Sequence, residues 1–89
     1  MDKEIKQILN ADKYRPNNKI FVGNLNPESQ DDELHLNFER FGSIKLMDRK
    51  KSKEYMIIEY DDHESAQKAV QEMDKIVIDD CEIKVQLAW

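Results

Sequence analysis

The sequence predicts an α+β domain with element order βαββαβ, a four-stranded antiparallel sheet carrying two helices on one face. Three observations predict it. Two short β-prone segments, Ile20-Phe21-Val22-Gly23-Asn24-Leu25 and Lys53-Glu54-Tyr55-Met56-Ile57-Ile58-Glu59-Tyr60, lie about thirty residues apart. Two stretches between and after them carry apolar residues at helical spacing. The chain then closes on a run in which Ile83, Val85 and Leu87 alternate with Lys84, Gln86 and Ala88.

Residues 1–18 read as an N-terminal extension and linker. Ile5, Ile8 and Leu9 have helical spacing with Asp2 as an N-cap, and Asn10 and Arg15-Pro16-Asn17-Asn18 break any such helix. A short isolated helix is marginal in water, so this stretch is either frayed or docked on the domain. Residues 19–89 form the domain. After the first strand, Asn26-Pro27-Glu28 reads as a loop. Ser29 with Asp32 approximates a capping box, and Asp31, Asp32 and Glu33 suit the positive end of a helix dipole. Leu34, Phe38 and Phe41 mark the buried face of this first helix, and Gly42 ends it.

A second strand is expected from Ile44 to about Arg49, followed by a basic turn at Lys50-Lys51-Ser52 and then the third strand. Ala66, Ala69, Val70 and Met73 define a second amphipathic helix starting near Asp62, and Asp79-Asp80 makes a turn before the last strand. This order is the ferredoxin-like split βαβ arrangement. Right-handed crossovers place both helices on one face and make the first and third strands central neighbours. The expected core is Ile20, Val22, Leu25, Leu34, Phe38, Phe41, Ile44, Met56, Ile58, Tyr60, Ala66, Ala69, Val70, Met73, Ile83, Val85 and Leu87.

Eighty-nine residues suit one domain with a modest core. Cys81 is the single cysteine, and the two histidines, His35 and His63, are distant in sequence. That set builds neither a structural zinc site nor an intramolecular disulfide, and no cofactor is expected. A reducing intracellular compartment fits. No apolar run is long enough for a membrane span, and no secretory signal is present. The net charge of −5 argues against coating nucleic acid by bulk charge. Its distribution is uneven. Residues 43–53 hold five bases against Asp48, residues 59–82 hold nine acids against Lys68 and Lys75, and residues 1–19 hold five bases against three acids. Positive charge therefore gathers near the second and third strands and in the extension, while the acids form the solvated faces of helices and turns.

Side chains alternate along a strand, so Ile20 and Val22 oppose Phe21 and Gly23, and Met56, Ile58 and Tyr60 oppose Lys53, Tyr55, Ile57 and Glu59. With the two strands adjacent, Phe21 and Tyr55 make an aromatic platform on the helix-free face, with Lys53 at its rim. Such a surface suits unstacked nucleic-acid bases.

This pair of segments resembles the two signature motifs of the RNA recognition motif family. The first-strand segment follows the family pattern of aliphatic, aromatic, aliphatic, any residue, Asn and Leu. In the third-strand segment Lys53, Tyr55, Ile58 and Tyr60 match, whereas Glu54, Met56 and Ile57 depart. The resemblance spans roughly Lys19 to Ala88. It implies that Phe21 stacks on one base and that Tyr55 packs on a base or sugar; the alternative for Tyr55 is an exposed tyrosine that supports its cross-strand partner Phe21. Ile57 stands where the family usually carries a second ring, a loss of about tenfold to a hundredfold in affinity. Lys53, with Arg49, Lys50 and Lys51 in the adjoining turn, is placed near phosphates. Lys84, Gln86 and Ala88 face the ligand from the edge strand, and Gln86 reaches a base edge. Trp89 either extends the platform or caps the core edge. Gly23 lies beside Phe21, and Asn24 shapes the loop after the first strand. Glu54 and Met56 replace small residues and read as structural substitutions, with Met56 pointing at Ala66 and Ala69.

The resemblance thus implies a single-stranded RNA-binding module that holds about two to four nucleotides across its sheet. Pre-mRNA processing, splicing or another mRNA-maturation role in the nucleus is the expected setting, for a monomeric domain cut from a longer protein. Nothing in the sequence plainly senses the 2′-hydroxyl, so single-stranded DNA is an alternative ligand. The alternative function is a protein-interaction module with weak or no RNA binding. Leu36, beside the Leu34/Phe38 face, would mark the contact with other RNA-processing proteins. Relatives that clasp a tryptophan carry Arg-x-Phe before the last strand, and Asp79-Asp80-Cys81-Glu82 departs from that. An enzyme is disfavoured. Acylphosphatases share the topology but need an arginine-bearing phosphate loop, where this chain has Asn26-Pro27-Glu28-Ser29. Ser29, His35, His63 and Cys81 show no spacing that pairs a nucleophile with a base.

Overall fold

The computed structural model describes residues 17–88. Within them run β1 (Lys19–Gly23), α1 (Asp31–Glu39), β2 (Ile44–Arg49), β3 (Met56–Tyr60), α2 (His63–Met73), β4 (Val77–Ile78), β5 (Cys81–Glu82) and β6 (Lys84–Leu87). The expected helix at Ile5, Ile8 and Leu9, and Trp89, lie outside the described residues. Asn17 and Asn18 bind to the domain. Asn18 Nδ2 donates to the Tyr60 carbonyl at 2.7 Å, the Tyr60 amide donates back to the Asn18 carbonyl at 2.8 Å, and Asn17 Nδ2 donates to the Ala88 carbonyl.

Alternation dictates the sheet. Ile20 and Val22 of β1, Met56, Ile58 and Tyr60 of β3, and Val85 of β6 are all buried beneath the helices. The strand order is β2-β3-β1-β6, antiparallel throughout, which makes β1 and β3 the central pair as expected. Leu34 and Phe38 of α1 and Ala66, Ala69 and Met73 of α2 close one core with these strands, and Leu25 and Ile83 join it. Phe41, Ile44, Val70 and Leu87 pack at its margin, with Met47 and Ile78 added to the expected set. Met56 is fully buried in the cluster that contains Ala66 and Ala69. Tyr60 is fully buried and donates from its hydroxyl to the Phe38 carbonyl at 2.7 Å. Burial pushes its phenol above the ordinary tyrosine value.

The helix ends differ in detail from expectation. Asp62 caps α2, its carboxylate accepting from the Ser65 amide at 2.8 Å, and that bond holds the Asp62 carboxyl below its ordinary value. For α1 the capping box fails. The N-cap is Gln30, with no side-chain cap bond, because the nearly buried Ser29 hydroxyl donates instead to the Asp79 carboxylate. Gly42 lies two residues past the Arg40 C-cap with φ +155°, and a β-carbon there would run into Ser65.

Two features were not expected. Ile44 pairs with Tyr60 but Leu46 pairs with Glu59, so Lys45 is an extra residue bulging out of β2. The bulge reverses the alternation, turning Leu46 and Asp48 to the helix-free face and Met47 and Arg49 to the helix side. The second feature flanks the anticipated Asp79-Asp80 turn. Both aspartates adopt left-handed backbone (φ 51° and 69°), the geometry of a tight two-residue hairpin turn, and β4 and β5 pair across it. This small hairpin is tied to the loop after β1. Asn24 Nδ2 donates to the Glu82 carbonyl at 2.8 Å, and Asn26 Nδ2 donates to the Asp79 carbonyl at 2.9 Å.

Candidate nucleic-acid interface

On the helix-free face the sheet register sets the neighbours of Phe21. Its Cα partners are Ile57 on β3 and Gln86 on β6. Tyr55 is therefore a diagonal neighbour, and the expected direct cross-strand pairing with Phe21 is corrected to Ile57. The two rings still meet, with centroids 5.6 Å apart and planes inclined by 37°. Tyr55 is 40% exposed and Phe21 partly so. Gly23 shapes this arrangement, since a β-carbon there would stand 2.9 Å from the Phe21 ring. Its bare backbone lets the ring lie back along β1. Lys84 pairs with Gly23 on the far side, and Phe21, Gly23, Asn24, Glu54, Tyr55 and Lys84 line one shallow recess. Asn24 has left-handed backbone (φ 59°), which suits its type and turns the chain away from the sheet.

Farther along the face, Leu46, Glu59 and Lys19 follow in register across β2, β3 and β1, and Leu46 is half exposed. Gln86 is exposed as expected, while Ala88 is partly buried and donates from its amide to the Lys19 carbonyl at 2.9 Å. Acids interrupt the cations here. Asp48 is the Cα partner of Ile57, and its carboxylate receives Lys50 Nζ at 2.8 Å, which raises the lysine above its ordinary value. Lys51 is exposed in the turn.

Two of the expected phosphate contacts lie elsewhere. Reversed by the bulge, Arg49 points to the helix side, and its side chain is only 6% exposed. Its guanidinium donates to the carbonyls of Ser29 (2.5 Å), Asn26 (3.0 Å) and Lys53 (2.9 Å), and to the Asp31 carboxylate at 2.7 Å. Every direction in which it could reach a phosphate is already taken. Lys53 precedes β3, and its left-handed backbone (φ 65°) breaks the alternation that would have set it beside Tyr55. It lines the Arg49 recess with Pro27, Gln30 and Asp32 instead of the rim of the platform. Leu46 and Glu54 are the residues the sequence did not bring to the open face. Leu46 depends on the bulge, which has no sequence signature here. Glu54 had a signal, a charge standing where the family motif carries a small residue.

Among the described residues no group of three or more His, Cys, Asp or Glu is placed to hold a metal, and no helix is long and apolar enough to cross a membrane. The arrangement is a surface for stacking and hydrogen bonding.

Residues 20–84 match the model of the RNA recognition motif, and the chain belongs to that family. The architecture agrees. The RNA15 RRM structure superposes with a TM-score of 0.77 at 18% identity, over 82% of this chain and 91% of that one. The Caenorhabditis elegans NONO-1 homodimer gives a TM-score of 0.75 at 26% identity, over 81% of this chain and 29% of that one. Among curated proteins, the chain is 36% identical over 90 residues to peptidyl-prolyl cis-trans isomerase sig-7 of Caenorhabditis elegans, covering 94% of this chain and 21% of that protein. It is 40% identical over 79 residues to cyp6 of Schizosaccharomyces pombe, covering 82% and 18%. It is 36% identical over 90 residues to the human peptidyl-prolyl cis-trans isomerase-like 4, covering 94% and 18%. The chain thus spans about a fifth of the length of these relatives. The isomerase activity in their names is that of much longer proteins, and an RNA recognition motif is a binding module, not an enzyme.

Proposed function

We propose that this domain holds a short single-stranded RNA across its helix-free face, with Phe21 and Tyr55 as the stacking surface. The observation that carries this reading is the ring pair itself, 5.6 Å apart on the face away from the helices. Ile57 and Gln86 flank Phe21 in register, the first giving flat apolar contact and the second a hydrogen-bonding edge. Lys84, Lys19 and Lys51 supply the local positive charge, so binding is modest and weakens with salt. A role in pre-mRNA processing within the nucleus agrees with the family. In a longer protein built like the named relatives, the domain would bring a peptidyl-prolyl isomerase to RNA-bound assemblies.

A second reading, protein interaction through the helical side, is favoured by Leu36, which is 65% exposed on α1. Chemical-shift mapping with a mixed pool of short RNAs separates the two. Shifts at Phe21, Tyr55, Ile57, Lys84 and Gln86 are expected. Silence there, with shifts around Leu36 on adding a protein partner, would overturn the RNA reading.

A further inference from the structure

The recess beside the paired rings carries two opposite charges, Glu54 and Lys84. Both are exposed, and among the described residues neither has an oppositely charged partner within 4.0 Å. The backbone of Glu54 is nevertheless fixed. Its carbonyl accepts from the Leu25 amide at 2.7 Å, and its amide donates to Ser52 Oγ at 3.3 Å. Lys84 is fixed by its pairing with Gly23, against whose bare backbone the Phe21 ring lies. The residues lining this recess thus include one with a carboxylate that only accepts, one with an ammonium that only donates, and two aromatic rings.

We infer that this recess selects a guanine, with Glu54 as the residue that determines specificity. The inference rests on the reading of the open face as an RNA-binding surface. Guanine presents two adjacent donors, N1–H and the N2 amine, which match a carboxylate in a two-bond pair. Its O6 and N7 acceptors lie next along the same rim, where an ammonium is complementary. The other bases match less well. Adenine sets one amine beside ring nitrogens that repel a carboxylate. Cytosine pairs one amine with the N3 and O2 acceptors. Uracil offers a single N3–H between two carbonyls that face the carboxylate lone pairs. Stacking on Phe21 and Tyr55 supplies affinity for any base, so the charges supply the choice.

The test is fluorescence anisotropy with labelled seven-residue oligouridines that carry G, A, C, U or inosine at the centre, against the parent chain and Glu54→Gln. The guanine oligomer is expected to bind about tenfold tighter than the uridine one. Inosine, which lacks the N2 amine, should lose most of that preference. Glu54→Gln should retain binding to oligouridine but no longer favour guanine. Equal affinities for all five, a preference for another base, or a guanine preference that survives Glu54→Gln would overturn the inference while leaving the RNA reading intact. Failure of every oligomer to bind would remove both.

Discussion

Arg49 Nη1 lies 2.7 Å from the Asp31 carboxylate, joining the end of β2 to the first turn of α1. The same guanidinium collects the carbonyls of Asn26, Ser29 and Lys53, so one side chain holds the loop after β1 and the turn before Tyr55 together. Replacing Arg49 with Ala leaves those acceptors without their charged donor. The expected loss is about 2–3 kcal/mol of unfolding free energy in urea. An unchanged stability, with a salt dependence of RNA binding shallower by about one unit, would instead mean that Arg49 contacts a phosphate.

Ile57 sits directly opposite Phe21, where a ring would lie flush with the existing pair. Ile57→Phe should tighten single-stranded RNA binding by about tenfold, because each stacked base contributes roughly 1–3 kcal/mol. Anisotropy titration at fixed salt measures it. An unchanged affinity would show that the ligand does not cross this part of the sheet.

Gly23→Ala tests the seat of the Phe21 ring. Its β-carbon would approach that ring to 2.9 Å, and the ring is free to swing while the strand is not. The variant should unfold within about 1 kcal/mol of the parent yet bind RNA several-fold more weakly. Unaltered binding would mean that the ring orientation is unimportant.

Tyr60 buries a hydroxyl bonded to the Phe38 carbonyl, and that carbonyl also accepts the Arg40 and Phe41 amides. Tyr60→Phe should therefore cost only about 1 kcal/mol at neutral pH. Burial raises the phenol above its ordinary value of 10.0. Its contribution is fully present below that value and declines as pH rises toward the raised folded value. Chemical denaturation at alkaline pH should show the parent losing stability relative to Tyr60→Phe. Parallel pH profiles would contradict the assignment.

Asp62 runs in the opposite direction. Its carboxyl is held below the ordinary 3.8 by the Ser65 amide, so its cap stabilises the fold above the ordinary carboxylate range. That stability is lost as pH falls through the lowered folded value. The stability gap between the parent and Asp62→Ala should shrink from neutral pH to strong acid. A gap that stays constant would show that the charge on the cap plays no part.

The fold was legible because each strand alternates cleanly and each helix keeps its apolar spacing. Ile20 and Val22 on one side of Phe21 leave little choice of register, and the rest of the core follows from the same alternation in the strands and from the helical spacing of Leu34, Phe38, Ala66, Ala69 and Met73. The site was legible only in its centre. Phe21, Gly23, Tyr55, Ile57, Lys84 and Gln86 come to one face because they sit inside regular strands or directly next to one. Arg49 and Lys53 went astray for local backbone reasons, an extra residue at Lys45 and a left-handed turn residue. Ser29 fits a cap by spacing, but Asp79, fifty residues away in sequence, claims its hydroxyl. Side-chain pattern predicts what periodic backbone presents, and it fails where a single residue breaks the period.

The extra residue at Lys45 has one more effect. β2 forms the outer border of the sheet, where free amides and carbonyls could template a strand from another molecule. A bulge and three charged side chains, Lys45, Asp48 and Lys50, roughen that border against such recruitment. The irregularity that turns an arginine inward thus also makes this border a poorer template for a strand from another molecule.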